Sequence, residues 1–272
     1  MSSYARRTVG FATLSGLILC AGRLSAADGD ISEWEEIQRQ RQEYTDVRVS
    51  LLVLPATGTL AIDTHVPRRK FNPDDEGPGQ TRGTEREDVS VSLRERIRGQ
   101  VGLSHSNGSD RGNGVGVVGL SLGYQSLVVD KSGGEHRGTT KFQSILVDGD
   151  LAWAFHPVST SSWQIEFAAL AGAGGSYISR DRTVSASDEA GVTVKTAPID
   201  GKGWGWAYEV GLRAGMIFTL PGGWQVAGDV RYLYFQTSGE DTYTDPTWGV
   251  GKTKDTLTLS GLSFSLSTGW RF

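Results

Sequence analysis

The last eleven residues hold the pattern that most restricts how this chain can fold. Leu262, Phe264, Leu266, Thr268, Trp270 and Phe272 alternate with Ser263, Ser265, Ser267, Gly269 and Arg271. A period of two marks an extended strand, because successive side chains point to opposite faces. This strand has one greasy face and one polar face up to its final residue. A soluble sandwich could use such a strand, but it has no need of an aromatic at the very end, where soluble domains fray into water.

The same rhythm repeats backwards through most of the chain. Residues 224–236 set Trp224, Val226, Val230, Tyr232 and Tyr234 against Gln225, Asp229 and Arg231. A tight Pro221-Gly222-Gly223 turn links them to residues 204–220, where Trp204, Trp206, Tyr208, Val210, Leu212, Met216 and Phe218 oppose Glu209 and Arg213. Residues 163–178 set Trp163, Ile165, Phe167, Ala169 and Tyr177 against Gln164 and Glu166, and residues 141–155 set Ile145, Val147, Leu151, Trp153 and Phe155 against Asp148 and Asp150. Residues 114–130 offer Val118, Leu120, Leu122, Tyr124 and Val128. In residues 89–105, Val91, Leu93, Ile97, Val101 and Leu103 oppose Arg94, Arg96 and Arg98. A first strand over residues 58–66, with Leu60 and Ile62 on the greasy face and Asp63 on the polar one, makes eight. Residues 47–54 are also β-like, and Pro55 separates the two stretches, so the first strand has the option of an earlier start with a kink.

The amino terminus indicates export. Arg6 and Arg7 precede an apolar run from residue 9 to 22, too short to span a bilayer as a helix, and Ser25-Ala26-Ala27 supplies small side chains for cleavage. Residues 1–27 therefore read as a signal peptide. A lipoprotein signal at Cys20 is disfavoured by the bulky Leu19 before it. Cys20 is the single cysteine, so a mature chain lacks disulfides and cysteine zinc sites. The signal also takes three arginines with it, leaving the rest more acidic than the formal −4. That balance argues against nucleic acid as a partner. Residues 28–46 form a separate polar segment in which residues 31–44 predict a short helix, with Ser32 and Glu35 at capping-box spacing. Residues 47–272 contain the strands.

After the signal no apolar run is long enough for a membrane helix, yet greasy/polar alternation is how strands cross lipid in a closed barrel. The chain resembles small Gram-negative outer-membrane proteins of the OmpA/OmpX-like eight-stranded architecture. The likeness rests on the export signal, the strand pattern and the ending at Trp270 and Phe272. It implies an all-β, antiparallel transmembrane barrel in the outer membrane, with lipid and lipopolysaccharide around it. It also implies that the barrel-assembly machinery reads Phe272 and Trp270. Short links at residues 106–113, 157–162 and 221–223 would face the periplasm. Longer connections at residues 67–88, 131–140, 180–203 and 238–254 would form external loops.

The polar faces then meet inside. Arg94, Arg96, Arg98, Arg213 and Arg231 join Asp63, Asp148, Asp150, Glu166, Glu209 and Asp229 in a lumen only wide enough for side chains. Unpaired charges there are prohibitive, so an ion-pair plug is expected. A ring lining an open narrow channel is the alternative. Glu95 falls on the lipid face in this register, which a bulge would relieve.

Catalytic patterns are thin. His105-Ser106 invites comparison with lipid A deacylases, which would make the chain a membrane-embedded hydrolase. However, the pair sits at the periplasmic end, without a recognisable acid. His65, with Asp63 and with Ser90 or Ser92 across a hairpin, is a weaker candidate. No metalloprotease, phosphate-loop or dinucleotide motif occurs, and Glu240, Asp241 and Asp245 lack calcium-loop spacing. The sequence reading is a non-enzymatic barrel without cofactor, with a structural or surface-interaction role.

Overall fold

The computed structural model describes residues 43–65, 84–106, 114–131, 136–155, 162–187, 193–245 and 249–272. The signal segment and the expected helix up to residue 42 lie outside the described residues. Nine strands run antiparallel: β1 (Thr45–Val53), β2 (Thr57–His65), β3 (Thr84–Ser106), β4 (Gly114–Lys131), β5 (His136–Phe155), β6 (Trp163–Ser187), β7 (Thr193–Thr219), β8 (Trp224–Asp245) and β9 (Gly249–Arg271). Neighbours in sequence pair from β3 to β9, and β1 and β2 each pair with both β3 and β9. The sheet is therefore closed, and β1 and β2 are the lower and upper halves of one stave. Among the described residues, nine strands make an eight-staved ring.

Pro55 explains the break, because it has no N–H to give to the ladder. On the β9 side the register passes through undisturbed, from Val53↔Phe264 to Gly58↔Leu259. Gly261, at φ +147°, lies opposite, and a Cβ there would sit 3.7 Å from the Pro55 ring. On the β3 side an extra residue enters: Val53 faces Ile97 while Thr57 faces Ser92. The pairing of β3 with β4 slips at the same level, between Leu93 and Glu95. A bulge of this kind exchanges inward and outward faces beyond it.

That exchange corrects part of the sequence reading. Below the bulge Arg98 and Gln100 point inward and Ile97, Val101 and Leu103 outward, as the alternation predicts. Above it Val91 and Leu93 are buried inside, and Arg94, assigned to the lumen, is on the outside. Glu95 falls at the bulge itself and is exposed. In β2, Leu60 and Ile62 are fully buried inside, so Asp63 faces out rather than in. Val128, opposite Glu95, is buried too.

The strands also run well past the roughly ten residues a membrane crossing needs. Much of the expected loop at 180–203 is the outer part of the β6–β7 hairpin, and much of that at 238–254 belongs to β8 and β9. Along these outer parts the apolar side chains change sides. In β9, Leu262, Phe264 and Leu266 are exposed on the exterior, whereas Leu257 and Leu259 are buried within. Leu233 and Phe235 do the same above Tyr232 in β8, and Ile178 in β6. The lower staves follow the rule of lipid, grease outside; the upper staves follow the rule of water, grease inside.

Candidate functional site

The exterior defines the environment first. Val101, Leu120, Val147, Leu151, Phe167, Leu212, Val226 and Leu266 stand exposed in one continuous belt. Aromatic side chains border it. Trp224 and Trp270 sit in contact, ring centres 5.2 Å apart, near the Pro221–Gly223 turn. Near the upper edge, Trp206 stacks on Tyr208 at 5.3 Å and Tyr177 meets Trp204 edge-on at 5.0 Å. An exposed apolar band of this extent is solvated by hydrocarbon, and aromatic borders match its two interfaces.

Inside, four layers succeed one another from the short-turn end. The floor holds Tyr44, Val115, Val117 and Ala154. Arg271 covers it, gripping Asp46 through two bonds of 2.9 and 3.0 Å and donating to Gln164 at 3.1 Å. Gln164 in turn donates to the Tyr44 hydroxyl.

The second layer is the ion-pair network. Arg213 pairs with both Glu166 and Asp150, and Arg48 reaches Asp46 and Glu166 at 3.6 Å. Arg98, with none of its surface exposed, forks onto Glu209 at 2.7 and 2.5 Å and donates to Gln125 at 2.9 Å. Arg231 binds Asp229 at 2.6 Å and Gln100 at 3.2 Å, and Gln100 donates to Ser121 and to Asp148. Glycine at 172 and 119 makes room for these acids, since a Cβ there would collide with Asp148 and Asp150 respectively. A cavity of about 60 Å³ remains among Arg48, Gln100, Asp148, Asp150, Glu209 and Asp229.

The third layer is apolar and was not foreseen from the sequence. Leu52, Leu54, Leu60, Ile62, Leu127, Phe142, Leu146, Ile178, Leu233, Phe235, Leu257 and Leu259 pack across the lumen with almost no exposure. Above it the fourth layer is a clasp: Arg180 and Arg182 both bind Asp255, at 2.7 and 2.8 Å, and Arg180 also donates to the Gly239 carbonyl. Arg180, Arg182 and Gly239 lie in stretches that the sequence assigns to loops, and Asp255 borders one. The continuing alternation of Ile178, Arg180 and Arg182 was the available signal.

Of the eleven residues assigned to the lumen from sequence, Arg98, Asp148, Asp150, Glu166, Glu209, Arg213, Asp229 and Arg231 come together in the second layer, and Asp63 faces out. Arg94 does not: it is exposed, 3.4 Å from the exposed Asp130. Arg96 donates to the Leu54 carbonyl at 3.1 Å, beside the Pro55 break, and meets no carboxylate among the described residues. Arg48, Asp46 and Arg271 are members that the reading omitted. The histidine candidates separate. His105 is exposed on the outer face, where its Nδ1 lies 3.1 Å from the Thr45 hydroxyl, while Ser106 is buried on the inner face. His65 pairs with Thr84, whereas Ser90 and Ser92 pair with Thr59 and Thr57, well down the stave.

A closed antiparallel ring with grease outside and paired ions within settles the architecture. The chain is a transmembrane β-barrel. No protein-family model matches it, and no curated protein matches it. Among solved structures it is similar to the outer membrane protein OprG from Pseudomonas aeruginosa, at 16% identity and a TM-score of 0.45, covering 85% of this chain and 96% of that one. It is also similar to the outer membrane protease OmpT from Escherichia coli, at 6% identity and a TM-score of 0.38, covering 84% and 97%. A third is Ail, the attachment invasion locus protein of Yersinia pestis, solved with the heparin analogue sucrose octasulfate. The identity is 10% and the TM-score 0.29, over 85% and 99%.

Proposed function

We propose that this barrel is a non-enzymatic, non-conducting element of the outer membrane. Its role is to hold a tall β-sheet sleeve, and the loops above it, among lipopolysaccharide and surface partners. The observation that carries this reading is the apolar layer lying across the lumen between two charged layers. An ion crossing it would exchange its hydration for a mostly apolar lining, which is unfavourable. Single-channel recording of the folded protein in planar bilayers tests the point. The reading expects no discrete current steps, and reproducible steps would replace it with the narrow-channel alternative.

Two observations support the absence of lipid A hydrolysis. His105 and Ser106 face opposite sides of one strand, and neither Ser90 nor Ser92 is opposite His65. A nucleophile and its base need hydrogen-bond reach of each other. Release of fatty acid from lipid A by the purified barrel, abolished in His105→Ala or His65→Ala, would reverse this part of the proposal. In the same reading, Phe272 and Trp270 present the assembly signal. Deleting Phe272 would then slow insertion by the assembly machinery while leaving spontaneous folding into detergent intact.

A further inference from the structure

On the outer face, three neighbouring staves bring a polar row to one level, just above the aromatic border. Lys141 of β5 lies opposite Ser179 of β6, and Ser179 lies opposite Lys202 of β7. All three point outward: Phe142 beside Lys141 and Ile178 beside Ser179 are buried inside, and Lys202 shares its face with Trp204. Two strand spacings put the lysine backbones about 10 Å apart, so their flexible stems bring both ammonium groups within reach of the space over Ser179. Elsewhere on the rim Lys131 and Lys252 are paired with Glu87 and Glu240. Lys141 and Lys202 pair with no carboxylate among the described residues, although Asp181 stands one outward step above Ser179. One step below, the row is Gln143, Tyr177 and Trp204. Trp204 is 76% exposed, more than any other large apolar side chain among the described residues.

Below this row the sheet surface is furrowed. The outward positions of β6 are Gly175, Ala173, Ala171 and Ala169, all exposed, and a Cβ at Gly175 would meet nothing within 4 Å. Taller side chains wall the furrow, Val147 and Leu151 on β5 and Val210 and Leu212 on β7. It ends in an apolar hollow among Phe167, Leu212, Ala214 and Tyr232. From Gly175 to Ala169 the furrow runs about 20 Å along the strand. At a strand tilt of about 40° that is a descent of about 15 Å, the depth of one leaflet. A cation pair, an indole face and a narrow apolar groove therefore follow one another in the order of a lipid's phosphate, sugar and acyl chain.

We propose that this furrow seats one molecule of lipopolysaccharide. Its lipid A phosphate lies between Lys141 and Lys202, its glucosamine ring on Trp204, and one acyl chain along Gly175 to Ala169. A phosphomonoester, with a charge of about −1.5 to −2, suits two cations better than the single charge of a glycerophospholipid, which also has no ring for Trp204. The inference rests on the reading above that lipopolysaccharide surrounds the upper rim. It concerns the outer wall and is independent of what the lumen conducts.

Native mass spectrometry of the folded barrel, released from detergent micelles doped with lipid, tests this. One bis-phosphorylated lipid A per barrel is expected, with dephosphorylated lipid A and phosphatidylglycerol each retained roughly tenfold less. Lys141→Gln with Lys202→Gln should weaken retention roughly tenfold. Ala173→Leu, which fills the furrow from the lipid side, should also weaken it. Lys252→Gln with Lys254→Gln removes the same charge elsewhere on the rim and should change retention little. Heat-modifiable gel migration confirms that each variant is folded. Equal losses from the two lysine pairs would leave only diffuse attraction to the rim and overturn the proposal. Equal retention of phosphatidylglycerol, or a dimer that Ala173→Leu abolishes, would overturn it in favour of a phospholipid or a second copy of the chain. Current steps from a barrel that retains lipid A would retire the non-conducting reading alone, and a silent barrel that retains none would retire this inference alone.

Discussion

The Arg271 guanidinium lies 3.6 Å from the centre of the Tyr44 ring, at the seam where the first and last strands close the barrel. Backbone bonds join the same two ends, from Thr45 to the Phe272 carbonyl at 3.1 Å and from Phe272 to the Thr45 carbonyl at 2.9 Å. Arg271 adds the forked pair with Asp46 and a bond to Gln164 on β6, three staves away around the ring. One side chain therefore fastens the seam and roofs the floor layer.

Removing its partner should be costly. Asp46→Ala leaves Arg271 and Arg48 without the carboxylate both use, and the loss of a buried partner is worth about 3–5 kcal/mol. Urea unfolding in lipid vesicles should show this as a lower midpoint with an unchanged slope. A loss below about 1 kcal/mol would mean that the clasp is solvated in practice.

Arg98 and Glu209 should behave as a unit. Glu209→Leu alone strands a fully buried guanidinium and should destabilise by about 3–5 kcal/mol, whereas Arg98→Met with Glu209→Leu should recover most of that loss. Additive effects of the two single changes in a double-mutant cycle would contradict the pairing.

Position 94 tests the bulge. Cysteine at 94 should react with a membrane-impermeant maleimide on intact cells, and cysteine at 98 should not. Arg94→Ala should alter stability by no more than about 0.5 kcal/mol. Protection of cysteine 94 would restore the uninterrupted register.

Tyr44 gives a pH signature at the lower rim, below the membrane belt. Burial pushes its hydroxyl up to about 12 from an ordinary 10.0. With a folded value above the unfolded one, its contribution is complete below pH 10 and is lost as pH rises towards 12. Tyr44→Phe should therefore lose less stability than the unaltered protein across that interval. Parallel curves for the two proteins would remove Tyr44 as the cause.

The membrane half of the fold was legible in the sequence because a single rule governs it. From Val147 to Trp153 in β5, or Trp224 to Tyr232 in β8, the large apolar residues take alternate places and face out. The inner carboxylates and arginines followed from the same parity. The outer half was not legible, because there the rule reverses. Leu257, Leu259 and Ile178 carry an apolar alternation on the opposite face, interspersed with polar residues that look like loop sequence. At Arg94 one extra residue flips the faces with no local mark of its own, since Val91 and Leu93 are as apolar as the lipid-facing Ile97. Pro55 did signal the break in the first stave, but not which face its upper half would bury.

The change of sides along each stave means that one continuous sheet answers to two solvents. Below, cohesion comes from ions shielded by hydrocarbon, a balance that detergent or lipid thickness can disturb. Above, it comes from leucine and phenylalanine withdrawn from water, with the heat-capacity signature of an ordinary soluble core. Stripping away lipid therefore removes the support of only one end of the molecule, and the outer rim keeps its own reason to stay folded.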